Sequence, residues 1–174
     1  MLGRFARGIV PALVLVFATA FGCESGGCEE GELCECRNGE ECYLGCDGGD
    51  CNQYCHHMQR CGGVCEDGGC SFRCHDMNHC SSACGNACDI DCHNVNSCGA
   101  LCGAGCKYRC HATERCGVEV GPGSEVVCES VESCEVVCRG TCRVTCRDVA
   151  RCDVTCAGGG DPIACAEGRA CGSC

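Results

Sequence analysis

The spacing of the cysteines is the feature that most constrains the fold of this chain. From Cys42 onward they recur in the pattern C-x3-C-x3-C-x3-C-x5, which has a period of eighteen residues. Residues 80–97 and 98–115 are complete examples, and the two units before them each contain one extra residue. A short fixed period is typical of a solenoid, in which each repeat contacts only its neighbours. We therefore predict a solenoid over residues 42–174, with about seven coils.

Each unit is predicted to contain two short strands joined by a glycine-rich turn. The residue midway between the first and second Cys, or between the third and fourth, is apolar in many units: Leu44, Val118, Val136 and Val154, then Phe72, Ile90, Tyr108, Val126 and Val144. An apolar residue flanked by two Cys puts three side chains on one face with a period of two, as in a half-buried strand. The remaining arm, C-x5-C, is expected to be a bend with one inward residue.

The two strands of a coil are expected to face each other with compensating side-chain volumes. Gly63 would face Phe72, and Ala100 would face Tyr108, so that a small residue meets a large one. Such pairing suits a thin core at close packing. The fold class is accordingly all-β: a disulfide-rich β-solenoid with about 18 residues per coil, about 34 Å long at a rise of about 4.8 Å per coil. Irregular disulfide-knot repeats and a helical arrangement are the alternatives, and the Gly content and β-branched centres disfavour a helix.

Composition indicates that cross-links, rather than a large apolar core, stabilise the fold. The chain has 31 Cys among 174 residues and no Trp. Small exported proteins with thin cores rely on disulfides, which persist in oxidising compartments. Export is therefore expected, and disulfide pairing is favoured over metal-bound thiolates.

One irregular unit predicts which cysteines pair. Residues 116–133 have Val120 and Ser124 in place of the second and third Cys, and joint loss is expected if those two Cys form one bridge. The predicted bridges are Cys46–Cys51, Cys65–Cys70, Cys84–Cys88, Cys102–Cys106 and Cys138–Cys142. The fourth Cys can pair with the first Cys of the same unit or of the next, and the sequence leaves both open.

The N-terminal segment has the features of an export signal. Residues 1–22 combine two arginines with an apolar run from Ile9 to Phe21, which is short for a membrane span. The stretch Ala20-Phe21-Gly22-Cys23 resembles the lipobox of bacterial lipoproteins, and this resemblance implies lipidation of Cys23 and attachment to a membrane of the cell envelope. Removing Cys23 from the 31 Cys also leaves an even thirty. Cleavage after Ala20, giving a secreted protein, is the alternative.

Residues 23–41 are rich in acidic side chains and are predicted to form a Cys-containing tether or cap. The net charge is −11, and loss of Arg4 and Arg7 with the signal changes it to −13. An acidic chain repels phosphate backbones, so no nucleic-acid partner is expected.

A histidine follows the fourth Cys in four successive units, at His56, His75, His93 and His111. Stacked coils would place these residues in one outward column with steps of about 4.8 Å. Repetition alone produces such columns. The alternative function is the binding of a divalent metal, either by this column of histidines or by cysteine thiolates.

The leading hypothesis is a non-catalytic, lipid-anchored extracytoplasmic protein with a structural or surface-interaction role. No catalytic motif is recognised, so we expect neither an enzyme nor a cofactor. The expected partners are the membrane, through the lipid on Cys23, and an envelope or extracellular component that the sequence does not identify.

Overall fold

Long parallel strands, each ending at a cysteine, are stacked one above another. The structure, a computed structural model, describes residues 26–174, so the predicted export signal and Cys23 lie outside the described residues. Its strands are β1 (Gly26–Cys28), β2 (Leu33–Cys46), β3 (Asn52–Cys65), β4 (Ser71–Cys84), β5 (Asp89–Cys102), β6 (Lys107–His111), β7 (Arg115–Val120), β8 (Ser124–Cys138), β9 (Cys142–Cys156), β10 (Ile163–Cys165) and β11 (Gly168–Cys171). Together they form an all-β solenoid of about 7 turns with about 18 residues per turn, which confirms the predicted fold class.

The register between coils matches cysteine to cysteine. Between β3 and β4, Cys55 lies beside Cys74 and Cys61 beside Cys80. The extra residue in each of the first two units falls in the turn between strands, where it does not disturb the ladder on either side. Successive turns also stack, as in the hydrogen bond of 2.8 Å from the backbone N–H of Ala87 to the carbonyl of Ala104. The repeat is thus maintained by backbone pairing in both the strands and the turns.

The inward side chains form a narrow core in which small and large residues face each other. The column Phe72, Ile90, Tyr108, Val126 and Val144 is buried. A Cβ atom built on Gly63 would lie 2.5 Å from Cε2 of Phe72, so the glycine leaves the space that the ring fills. This contact confirms the volume compensation expected at this coil.

The arm between the fourth Cys and the next first Cys is a sharp bend, which lies within one strand in most coils and between β6 and β7 in one. Its second residue adopts a left-handed backbone conformation in every coil, with φ between 49° and 55°: Asn38, His57, Asp76, Asn94, Ala112, Ser130 and Asp148. The third residue then points inward and is buried, as at Met58, Met77, Val95 and Val131. The predicted bend with one inward residue is therefore present, and the left-handed residue produces it.

The solenoid begins before the predicted boundary at Cys42. Residues Leu33 to Gly45 of β2 run parallel to β3, and β1 lies beside the end of β2. Cys28 and Cys36 are buried, while the acidic side chains around them point outward. The described part of residues 23–41 is therefore paired into the parallel stack.

The C-terminal end has a different topology. Strands β10 and β11 form an antiparallel pair, and β11 lies antiparallel to β9 with Cys171 beside Cys142. This reversal covers part of the last coil and ends the parallel stack.

Candidate functional site

Disulfides form two series along the solenoid. The first joins the second and third Cys of a unit across the turn: Cys46–Cys51, Cys65–Cys70, Cys84–Cys88, Cys102–Cys106 and Cys138–Cys142. Their Cα–Cα distances are 5.9 to 6.5 Å, within the range that a bridge requires. These are the same pairs that were predicted from the unit in which Val120 and Ser124 together replace the second and third Cys.

The second series decides the pairing that the sequence leaves open. The fourth Cys of a unit is bonded to the first Cys of the next unit, across the bend: Cys36–Cys42, Cys55–Cys61, Cys74–Cys80, Cys92–Cys98, Cys110–Cys116, Cys128–Cys134 and Cys146–Cys152. Each coil is therefore closed covalently at the bend, and at the turn as well except in the coil that has Val120 and Ser124.

All thirty Cys of residues 26–174 are in disulfides, including the terminal bridges Cys28–Cys34, Cys156–Cys171 and Cys165–Cys174. Sulfurs from neighbouring coils approach one another, as in the group Cys46, Cys51 and Cys70. A disulfide sulfur is not a thiolate, which is the form that ligates metal. The described residues therefore offer no thiolate site while they remain oxidised.

The four histidines predicted as a column do stand in register. His56 lies beside His75, His75 beside His93, and His93 beside His111. The imidazoles of His56 and His75 stack with centroids 5.2 Å apart, and those of His93 and His111 with centroids 4.3 Å apart. Glu129 continues the column in the next coil.

Ring nitrogens of His56 and His57 approach each other, and His57 was not among the predicted site residues. Their Nδ1 atoms lie 2.9 Å apart. Nε2 of His56 donates to Oε1 of Glu35 at 2.8 Å, and Nε2 of His57 lies 3.9 Å from Oδ2 of Asp76. Adjacent residues of a strand normally point to opposite faces. The left-handed conformation of His57 instead turns its ring toward His56.

His75 has partners on both ring nitrogens. Nδ1 donates to Oδ2 of Asp76 at 2.9 Å, and the hydroxyl of Tyr54 donates to Nε2. Asn94 donates to the other oxygen of Asp76 at 3.1 Å. These hydrogen bonds, first from His75 and then from Asn94, lower the pKa of Asp76 below its ordinary value. Asp76 therefore remains an anion beside the rings.

At the other end of the column, the imidazole of His111 lies near a carboxylate. Its Nε2 lies 3.4 Å from Oδ1 of Asp91, on the strand below. The rings of His93 and His111 are stacked nearly parallel, with an interplanar angle of 8°. This end of the column thus differs from the His56 end.

These features define the class of protein to which the chain belongs: a cysteine-rich, disulfide-bonded β-solenoid of about 7 turns. Comparison with protein-family models, curated proteins and solved structures found no match for this chain. Among residues 26–174, no helix has the length and hydropathy needed to cross a membrane.

Proposed function

We propose that this protein is a lipid-anchored, non-catalytic structural element of a bacterial cell envelope that presents a stiff, repetitive polar surface. The observation that carries the proposal is the pair of disulfide series along the solenoid, which closes each regular coil at the turn and at the bend. The bridges also suggest an oxidising, extracytoplasmic location, since cytosolic thiols are kept reduced.

The distribution of side chains supports a structural role. The inward positions are occupied mainly by cystines and apolar side chains, so nearly all charged side chains lie outside. Outward charges pair between coils, as where Arg139 donates to Glu119 one coil below and lowers the pKa of that carboxyl. A covalently closed rod with such faces can act as a spacer or as a surface for an extracellular partner.

The cysteine count supports the lipid anchor. Thirty of the 31 Cys pair within residues 26–174, and Cys23 is the one that remains. A thioether from this thiol to a diacylglyceryl group would use the odd cysteine, and more than one acyl chain is what gives stable membrane attachment.

The test is a Cys23→Ser variant expressed in a bacterium that processes lipoproteins. The wild type is expected in the membrane fraction, with acyl groups on its N-terminal peptide by mass spectrometry. The variant is expected in the soluble extracytoplasmic fraction, because serine cannot form the thioether. The thirty structural Cys are unchanged, so the fold is retained.

Ser25→Ala is the matched control and is expected to stay membrane-bound. A wild-type N-terminus at Phe21 without acyl groups would show cleavage after Ala20 and a secreted protein, and would refute the anchor. Membrane retention of Cys23→Ser would also refute it.

A further inference from the structure

We propose that His56 and His57 form a bidentate site for a divalent transition-metal ion, with Cu²⁺ preferred over Zn²⁺. This inference goes beyond the structural role, and it differs from a ladder along the whole histidine column because it involves one end and a residue outside the column. It depends on the position of four atoms: the two Nδ1 atoms, Oε1 of Glu35 and Oδ2 of Asp76.

The separation of the two Nδ1 atoms suits a chelated ion. Imidazole nitrogens bind such metals at about 2.0–2.1 Å. Two nitrogens 2.9 Å apart then subtend an angle of about 90° at the ion. That angle belongs to tetragonal coordination, which Cu²⁺ and Ni²⁺ adopt with nitrogen and oxygen ligands, whereas a tetrahedral Zn²⁺ site needs a separation of about 3.3 Å.

The opposite nitrogens face carboxylates, as in known metal sites. His56 donates from Nε2 to Glu35, which leaves the lone pair of its Nδ1 directed at His57. A ligating histidine generally gives its other N–H to a carboxylate or carbonyl, which fixes the tautomer and raises the basicity of the ligand. Glu35 supplies that contact within hydrogen-bond distance.

His57 must hold its proton on Nε2 when the metal is bound. Without metal, the 2.9 Å contact requires a proton on one Nδ1, and His57 supplies it because His56 uses Nε2 toward Glu35. Metal binding moves the His57 proton from Nδ1 to Nε2, where Asp76 lies 3.9 Å away. Hydrogen bonds from His75 and Asn94 fix the position of the Asp76 carboxylate, which from there stabilises this tautomer.

The site is accessible, and the carboxylates of Glu35 and Asp76 flank it. The side chain of His57 is 56% exposed and that of His56 is 16% exposed, so water or a small ligand can fill the remaining coordination positions. The net charge of −11 favours the approach of a cation. Among divalent first-row ions, a nitrogen–oxygen site has its greatest affinity for Cu²⁺.

The experiment titrates Cu²⁺ and then Zn²⁺ into the oxidised full-length protein, with glycine as a competing chelator, and records electron paramagnetic resonance spectra of the copper form. One Cu²⁺ per chain should bind at the tightest site, with hyperfine splitting from two imidazole nitrogens. Zn²⁺ should bind more weakly.

The key variant is His57→Asn. Asparagine occupies the same left-handed position at Asn38 and Asn94, so the bend is retained. Losing one arm of the chelate should weaken Cu²⁺ binding about a hundredfold or more and remove one nitrogen from the spectrum. His56→Gln should act similarly, while Glu35→Ala should cost about 10–100-fold because it removes only the orienting carboxylate.

Two other histidines serve as controls. His79→Gln changes an exposed histidine that lies beside Arg60 and Ser97, and it should leave binding unchanged. His111→Gln alters the opposite end of the column and should also leave the tightest site intact. Unchanged binding in His57→Asn, loss of the site in His111→Gln, or the absence of stoichiometric Cu²⁺ would each overturn the proposal.

Discussion

Gly63 and Phe72 face each other across the core so closely that the glycine has no room for a side chain. The hypothetical Cβ would lie 2.5 Å from Cε2 of the ring and 2.7 Å from Oε1 of Gln53. In another coil Val118 and Val126 occupy the equivalent positions, and both are buried. The thickness of the core is therefore kept constant by paired volumes rather than by one repeated residue.

A Gly63→Val substitution should overpack this coil and lower the free energy of unfolding by about 1–3 kcal/mol. The double variant Gly63→Val, Phe72→Val should recover the part of that loss that is due to the ring, because it reproduces the pair at Val118 and Val126 while the contact with Oε1 of Gln53 remains. Differential scanning calorimetry under non-reducing conditions measures both changes. A double variant no more stable than the single one would contradict the volume argument.

In the coil of residues 116–133, which lacks the turn disulfide, two other side chains take the place of the bridge between the second and third Cys. Val120 and Ser124 are buried there, and the Ser124 hydroxyl accepts from the N–H of Cys106 at 3.1 Å and donates to the carbonyl of Gly103 at 3.3 Å. Cys102→Val with Cys106→Ser should therefore fold and lose at most about 2 kcal/mol, the loop-entropy contribution of so short a bridge.

The transposed pair, Cys102→Ser with Cys106→Val, is the control for that prediction. It places the hydroxyl where Val120 is buried in the natural example, and a buried hydroxyl without a partner costs about 1–3 kcal/mol. The transposed variant should unfold at a lower temperature than Cys102→Val with Cys106→Ser, which keeps the order of Val120 and Ser124. Equal melting temperatures would show that the hydrogen bonds of Ser124 do not matter.

Complete reduction should unfold the solenoid. The core is narrow and most of its buried residues are cystines, so the apolar surface left after reduction is small. We expect the far-ultraviolet β signal to disappear at 25 °C when all bridges are reduced and the thiols alkylated. The unreduced, anchored protein should react with no thiol reagent. Retention of a cooperative thermal transition after reduction would refute the prediction.

Ala112 is an unfavourable residue for the bend, and replacing it should stabilise the protein. Its φ is 49°, a left-handed conformation that costs an alanine about 1–2 kcal/mol, whereas asparagine and glycine adopt it more readily. Ala112→Asn should raise the free energy of unfolding by about 1 kcal/mol. Ala104→Gly, at a position outside the left-handed set, should instead lower it. Denaturant titration measures the free energy of unfolding of both variants and shows whether it rises or falls.

The buried Tyr108 should make stability fall in alkali. Its hydroxyl donates to the carbonyl of Cys98 at 3.2 Å, and burial raises its pKa above the ordinary 10.0. Because the folded pKa is the higher one, the stabilising contribution is complete below pH 10.0 and is lost as the pH rises above it. Tyr108→Phe should cost about 1 kcal/mol at neutral pH and show a shallower alkaline decline.

Tyr43→Phe is the control for the alkaline profile, since Tyr43 is 60% exposed. The stability of this variant should follow that of the wild type at every pH. Thermal melts between pH 7 and 11 provide the comparison, and short incubations limit disulfide exchange. An identical decline in Tyr108→Phe would assign the effect to other groups.

The sequence by itself determined the period, the strand–turn–strand unit and the pairing of the second and third Cys. Each of these depends on local information: the alternation of inward residues between Cys, the glycine-rich turn, and the joint replacement at Val120 and Ser124. Only the tertiary structure decided that the fourth Cys bonds to the first Cys of the next unit, as in Cys55–Cys61. Local spacing does not specify how far the chain bends between two cysteines, so both pairings were compatible with it.

The same bend explains why the site at His56 was only half predicted. Column positions follow from the repeat, and His56, His75, His93 and His111 stand in register as expected. The left-handed conformation of His57 is not visible in its residue type, since strand residues normally alternate between faces. It arises because each coil must turn sharply enough to bring its next Cys within bonding distance, and that requirement exists only when the coils are closed and stacked.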